Sequence, residues 1–581
     1  MVLLGIDSLL LLYITSGLGI FMLTFLQRIF KHPAEANTLG VVLLGLIFST
    51  FYFSLVSFWF PVNYFCLIPL LALSSFSFIK NTEGRKKFSF QARQNLQLIF
   101  SPANLWFCVP VIAMLFYYWI IPPANPDSAD YHYTTILWYE KYKVVPGLAN
   151  VHGRFAFNSA AFIIQAAYAF TAVAGQSLYP LNGLIISLFV LWLLTRVLRN
   201  KSSFAGIVYA VIFFLLTRDS LINLSSPSSD PLFTICITYV LIKYFDVLLL
   251  NKITVSLVLV PVLITLYAFI AKLSAYSLIL TIPFILYHLR KTEKLLPFLL
   301  KLFIICLPLY ITWFCRNIIL SGYLIYPLPY IDIFNVDWKA PRDILMVDYF
   351  KIKHEPKVYA DIGYLKSVPF PRWIYPWLSY RVKNYYAMDV YSFLLAVFSP
   401  FYWIAVYIKR RKISSLVFML WLFIYAGVWL WLINSPEFRF GTVFFSLSIT
   451  LPFLYFAVTG VQKKYPLVRI ALITICIISS VHYIRQASKQ ESTYAFSPKD
   501  YWLLPLKDKH YYYHNNKSGF KYMVINNGVK LYLSDSAHEC LNTDQPCMMW
   551  RYGTIEMRGN KMDDGFRNVK DEVSKYYPYV K

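Results

Sequence analysis

The side chains equipped for chemistry gather in one polar stretch, Asn125–Ser159, which holds three acidic residues, two histidines and one arginine between long apolar segments. Asp127 and Asp130 are spaced so that on a helix they face the same way. Two carboxylates so placed suit general-base work and the orientation of a substrate or a divalent cation. The competing reading is an Asp helix cap with solvated neighbours. His132 and His152 suit the roles of base and ligand, or simply hydrogen-bond at a membrane interface. Arg154 suits phosphate, which a guanidinium grips through paired hydrogen bonds, or else it snorkels toward lipid head groups.

Two later turns carry the same residue types. Arg218, Asp219 and Asp230 lie in a short segment between apolar runs, although an Asp directly before a proline (here Pro231) is also a common cap. Glu437 and Arg439 share a tight turn between Trp-rich and Phe-rich runs, where an arginine grips an anionic lipid head group or pairs with Glu437. Arg316 opens a long segment, 316–389, whose Tyr, Trp, Lys and Asp content suits a carbohydrate or lipid-head surface. Lys243, Asp246 and Lys272 fall within apolar runs and are costly there unless paired. Lys243 and Asp246 are expected to pair with each other along one helix face.

These groups need a frame, and composition says which. Of 581 residues, 58% are hydrophobic and 14% charged, which excludes an ordinary soluble globule. Several apolar runs reach the roughly 20 residues that cross a bilayer core. The expected fold is an all-α polytopic membrane protein of about 14 spans, beginning with 2–26, which is too long and uniformly apolar for a signal segment. The net charge of +25 belongs with basic cytoplasmic connections, not with nucleic acid. Lys80, Arg85, Lys86, Lys87 and Arg93 mark one such connection, which places 123–178, 218–230, 316–389, 434–441 and the tail on the external face.

That assignment holds only if Phe157–Val173 does not cross; Asn158, Ser159 and Gln165 suit an interfacial or re-entrant helix. From Asp130 to Lys143 a short amphipathic helix is expected along the interface, anchored by Tyr131, Ile136, Trp138 and Tyr142. Three regions follow: helices over 1–102 additional to a core, a core over 103–485, and an external soluble α+β domain over 486–581. In the last, Tyr522–Ser534 alternates around Asn526-Asn527-Gly528, a hairpin signal. Cys540 and Cys547 suit a disulfide in an oxidising compartment better than a zinc site. The chain's 21 glycines form no phosphate-binding fingerprint, so a soluble nucleotide donor is not expected.

Asp127-Ser128-Ala129-Asp130-Tyr131 after a span, an interfacial helix, and acidic and basic groups at later external turns together resemble the C-type (GT-C) membrane glycosyltransferases. The resemblance covers roughly 103–459, rests on short motifs and departs at Ser128, where the family carries a second acid and Asp130 is the substitute. Pro146-Gly147 to Asn158-Ser159 is similar to the segment that follows the family's juxtamembrane helix. Glu437-Phe438-Arg439-Phe440 is similar to its late arginine motif. The tail, through Gln545-Pro546-Cys547 and Met557-Arg558-Gly559…Asp564-Gly565-Phe566-Arg567, is similar to that of a group of large bacterial membrane proteins, a likeness that carries no chemistry.

The resemblance implies an enzyme of a bacterial inner membrane that moves a sugar, with inversion, from a polyprenyl-phosphate carrier to a glycan, lipid or protein acceptor. Asp127 is then the general base, Asp130 or Asp230 orients the acceptor or a divalent cation, and Arg439, Arg218 or Arg316 holds the departing phosphate. His132 joins the catalytic set, and Arg154, Asp219 and Glu437 the binding set. The alternatives are a polymerase or ligase of lipid-linked glycans, and a non-enzymatic transporter or flippase, which calls for inverted repeats and mid-bilayer charge.

Overall fold

The computed structural model describes residues 1–460 apart from 122, 124, 358, 385 and 386; beyond 460 it describes 474, 481, 521–525, 530–533, 547–548, 554–570 and 578–580. The chain is an all-α membrane protein. In lipid every backbone polar group needs an internal partner, which a helix supplies. Among the described residues seven helices are long and apolar enough to cross a bilayer: Val2–Phe30, Thr38–Val56, Pro180–Arg199, Asp230–Leu249, Leu295–Ser321, Ser415–Asn434 and Phe438–Thr459. Two bent pairs raise the count to nine, Tyr64–Lys80 with Thr82–Ile99 at 94° and Ala387–Val397 with Ser399–Arg410 at 49°. Phe107–Ile120, Phe204–Arg218, Val255–Ala271 and Leu273–Leu289 are shorter apolar helices at other expected spans. The expected span at 467–485 lies outside the described residues.

Local sequence accounts for much of this. Proline stands at the start of four of the helices, at Pro102, Pro180, Pro231 and Pro400, where no N–H partner is lost. Ser8 and Thr15 return their hydroxyls to the carbonyls of Leu4 and Leu11 at 2.7 and 2.6 Å, so the first helix buries them without unmet polarity. Where the first two helices cross, a Cβ on Gly19 would meet the Val41 carbonyl oxygen at 2.0 Å, so only glycine permits that approach. Leu295–Ser321 leaves Leu296, Leu300, Phe303 and Ile304 exposed, a lipid-suited face.

Three local expectations change. The interfacial helix is one π turn, Ser128–His132, followed by Tyr133–Lys141, and every residue from Tyr133 to Glu140 is buried. Tyr131, Ile136 and Trp138 therefore pack inside the protein and do not anchor it at a water–lipid boundary. The 157–173 stretch contains Ala160–Ala167 and Thr171–Ala174, both too short to cross. The expectation that this stretch does not cross therefore stands, and of its two forms only the interfacial one falls, because Ala160–Ala167 is buried along its whole length. Asp246 turns from Lys243 to Arg196, which donates to both of its oxygens at 2.8 and 2.5 Å.

Near the C-terminus, Lys521–Val524 pairs antiparallel with Lys530–Leu533 as expected of the hairpin, and Cys547–Met548 joins in parallel. A second ribbon joins Thr554–Met557 to Phe566–Lys570. Phe566 docks on the 123–178 segment: its N–H donates to the Pro146 carbonyl at 2.9 Å and its ring meets Trp138 at 5.8 Å. Gly147, at φ +67°, lies so close that a Cβ would meet the Phe566 carbonyl oxygen at 2.1 Å. The Arg558–Arg567 motif thus serves docking, with Arg558 donating to Asp337 at 2.7 Å. The Cys540–Cys547 pairing lies outside the described residues.

Candidate functional site

The helix ends at Ile120, and past Pro123 the chain enters the polar stretch. Asn125 Nδ2 donates to Asn223 Oδ1 at 2.9 Å, and the Ser128 and Ser226 hydroxyls share a hydrogen bond at 2.7 Å. Asn182 holds the other strand of this seam through the Ser226 and Ser228 carbonyls, at 2.6 and 2.7 Å. The seam brings the segment before Asp230 against the segment that carries Asp127.

Arg439, in the first turn of Phe438–Thr459, joins the two acids: Nη2 donates to Asp127 Oδ2 at 2.7 Å, and Nε lies 3.5 Å from Asp230 Oδ2. Lys272, at the break after Val255–Ala271, pairs with the other oxygen of Asp230 and lies 3.6 Å over the Phe440 ring. From the opposite side Arg154 reaches Asp127 at 3.6 Å, Asp130 at 3.9 Å and Glu355 at 3.7 Å, and stacks on Tyr131 at 5.2 Å. Lys272, Asp230, Arg439, Asp127, Arg154 and Glu355 therefore alternate in sign along one ladder.

All of the ladder except Asp230, which lies behind Lys272 and Arg439, lines a cavity of about 770 Å³ whose other walls include Phe269, Trp313, Tyr276 and Phe444. Over it lies the Arg342–His354 helix (the roof helix), which contributes Tyr349, Lys351 and Lys353. Behind Arg154, Gly153 has no side chain for a reason: a Cβ would meet Asp348 Oδ2 at 2.0 Å and the Tyr326 hydroxyl at 2.6 Å. That hydroxyl donates to Asp348 at 2.6 Å, tying the roof helix to the segment after Leu295–Ser321.

Burial alone would raise Asp127, but Arg439 and then Arg154 outweigh it and hold the carboxyl below the usual carboxylate range. Asp127 is therefore ionised at neutral pH. Burial pushes His132 down to about 4, against the pull of Asp127 and Asp230, so its imidazole is neutral. Burial likewise raises Asp348 despite the Tyr326 hydrogen bond.

Residues 1–446 match the family described as "Domain of unknown function (DUF8201)". The chain belongs to that family. The matched stretch contains the whole ladder, from Asp127 to Arg439. No curated protein and no solved structure matches the chain.

The site of this DUF8201 chain gathers Asp127, Asp130, Arg154, Asp230, Glu437 and Arg439 from the sequence candidates and leaves others out. Glu437 lines the cavity but pairs with Arg381 at 3.2 Å, not with Arg439. His132 is buried against Tyr131 and Phe162, outside the cavity-lining set. His152 is buried too, and its Nδ1 accepts the Arg154 N–H at 3.3 Å, so it shapes the turn. Arg316 is buried behind the cavity, donating to Asn158 Oδ1 at 3.0 Å and to the Ser57 hydroxyl at 2.5 Å. Arg218 pairs with Asp389 away from the cavity. The Asp219 side chain lies outside the described residues.

Sequence reasoning marked Lys272 as costly unless paired but gave it no place in the site, and it missed Glu355 and Arg381. For Lys272 a signal existed, a lone lysine closing the run Leu263–Ala271; for the other two there was none. A divalent cation does not fit Asp127 and Asp130. Guanidinium groups occupy the positions in front of both carboxylates, and among the described residues no three His, Cys, Asp or Glu side chains form a metal-holding group.

Proposed function

We propose that this protein is an integral membrane glycosyltransferase that moves a sugar from a polyprenyl-phosphate-linked donor to a hydroxyl acceptor. One observation carries the reading: Asp127 and Asp230, distant in sequence, meet on the same guanidinium, Arg439, at the wall of a partly apolar cavity. A carboxylate base beside a fixed cation is what the reaction requires, because phosphate is a good leaving group and needs mainly charge stabilisation and positioning.

The acceptor oxygen attacks the anomeric carbon, its proton passes to Asp127, the bond from that carbon to the phosphate oxygen breaks, and the polyprenyl phosphate departs as an anion beside Arg439 and Lys272. Arg439 couples the two events. While it lies on Asp127, the carboxylate is a weak base; once phosphate draws the guanidinium away, the basicity of Asp127 rises. Apolar walls formed by Phe269, Trp313 and Phe444 suit the prenyl chain. About 14 spans, an external working face and a bacterial inner membrane belong to the same proposal, on the ground that the ladder residues lie in segments flanked by basic connections on the opposite side.

The test uses membranes that carry the full chain and polyprenyl-phosphate-linked hexoses. Wild type releases free polyprenyl phosphate and Asp127→Asn does not, with both proteins equally abundant. Equal release from the two would remove Asp127 as base, and no release from wild type with any such donor would end the glycosyltransferase reading.

A further inference from the structure

Where the roof helix ends, Lys353, His354 and Lys357 follow in quick succession, and Lys366 of the Ile362–Ser367 helix lies beside them. Lys357 is 4% exposed and His354 7%. Lys357 Nζ has His354 Nδ1 at 3.1 Å and lies 4.4 Å over the Trp373 ring. Lys353 Nζ has the Tyr349 hydroxyl at 3.5 Å. Lys366 donates to the Tyr579 carbonyl at 3.0 Å and lies 4.6 Å over Phe350.

Among the described residues none of the four forms an ion pair with a carboxylate. The acids that follow the roof helix in the chain are otherwise engaged: Glu355 turns to Arg154, and Asp361 accepts the Tyr364 N–H at 3.0 Å. The charges act on one another instead. Burial and then Lys357, Lys353 and Lys366 push His354 down to about 4, and burial followed by Lys353 pushes Lys357 down to about 8.

The place is built, not incidental. The Pro356 carbonyl accepts both Trp377 Nε1 at 3.2 Å and Arg381 Nη2 at 2.6 Å, which holds the turn that buries Lys357. Lys353 and Pro356 both line the cavity, so the cluster lies at its rim. A buried ammonium beside like charges is unfavourable by itself, since aromatic faces return only part of the lost hydration. An anion bridging the lysines reverses that balance. Three compact ammonium charges favour a doubly charged phosphate over a singly charged carboxylate, because the attraction scales with the charge of the anion.

We infer that Lys353, Lys357 and Lys366 form a phosphate-binding site at the roof-side rim of the cavity, separate from the Asp127–Arg439 ladder. The site takes a phosphate group whether free, carried on a sugar or in a phospholipid head group. The inference does not rest on glycosyl transfer, and its test needs none.

The full chain is purified in a neutral detergent and its thermal midpoint is measured in potassium phosphate against potassium chloride at equal ionic strength. Glucose 6-phosphate and a short-chain phosphatidylglycerol form parallel arms, and the arm effective at the lowest concentration identifies the source. Phosphate is expected to raise the wild-type midpoint by several degrees. Lys353→Gln with Lys357→Gln removes most of that rise, Lys357→Arg with Lys353→Arg retains it, and Arg439→Gln retains the lysine-dependent part. No phosphate-specific rise in wild type, an undiminished rise in the glutamine variant, or its full loss in Arg439→Gln would each overturn the site.

Discussion

The two charged regions around this cavity are assembled on opposite rules. Along the ladder every charge touches one of opposite sign, from Lys272 through Asp230, Arg439, Asp127 and Arg154 to Glu355. At the roof, Lys353, Lys357 and Lys366 have aromatic rings, a carbonyl and a neutral imidazole as neighbours. A compensated ladder buries charge at low cost, but a ligand must open it. An uncompensated cluster costs stability when empty and gains it when filled. The first suits a reaction centre in which groups exchange partners, and the second suits a docking point.

The largest expected effect tests whether the ladder acts as a unit. Asp127→Asn and Arg439→Gln should each lower transfer by roughly 10²-fold or more. Their combination should be little worse than either alone, because residues that serve one step are not additive. Rates that multiply in a double-mutant cycle would separate the two roles.

Neutralising a charge should have opposite effects in the two regions. Lys272→Met leaves Asp230 with only the more distant Arg439 and should cost about 2–3 kcal/mol, read as a fall in thermal midpoint. A change near zero would mean that the pair contributes nothing net. Between these extremes lies a pH effect. The folded value of His132 is about 4, below the roughly 6.5 of an unfolded chain. Between those values the unfolded state binds more protons, so stability is full above about 6.5 and falls as pH drops toward 4. His132→Phe should flatten that slope by about 3 kcal/mol in total, and an unchanged slope would place the titration elsewhere.

The smallest effect is the sharpest for the comparison. Lys357→Met, of similar volume, should stabilise the protein by about 1 kcal/mol in phosphate-free buffer, because it removes a buried charge that has no acid partner. Destabilisation instead would show that the lysine packs better than its charge costs.

Much of the frame was legible in advance. Apolar length announced the seven long spans and Asn-Asn-Gly marked the hairpin, since each depends on interactions among neighbouring residues. The site was legible as candidates only. Glu437 and Arg439 looked like a local pair, but positions two apart on a helix do not face each other. Glu437 therefore turns to Arg381, and Arg439 to Asp127, 312 positions away. Asp246 chose Arg196 over Lys243 because a planar guanidinium binds both carboxylate oxygens at once. Tyr133–Glu140 looked interfacial because its residues are amphipathic; the inserted Ala160–Ala167 helix and the docked Phe566 cover it instead.

Taken alone, the sequence determined a helical membrane protein with acids and bases collected at the ends of its spans, because bilayer thickness and backbone hydrogen bonding act on each segment separately. Which acid meets which base was decided only by tertiary structure. The Asn125–Asn223 and Ser128–Ser226 seam brings two span ends together, and the roof helix closes over them. Such contacts join segments far apart in the chain, and burial, not local propensity, sets their partners.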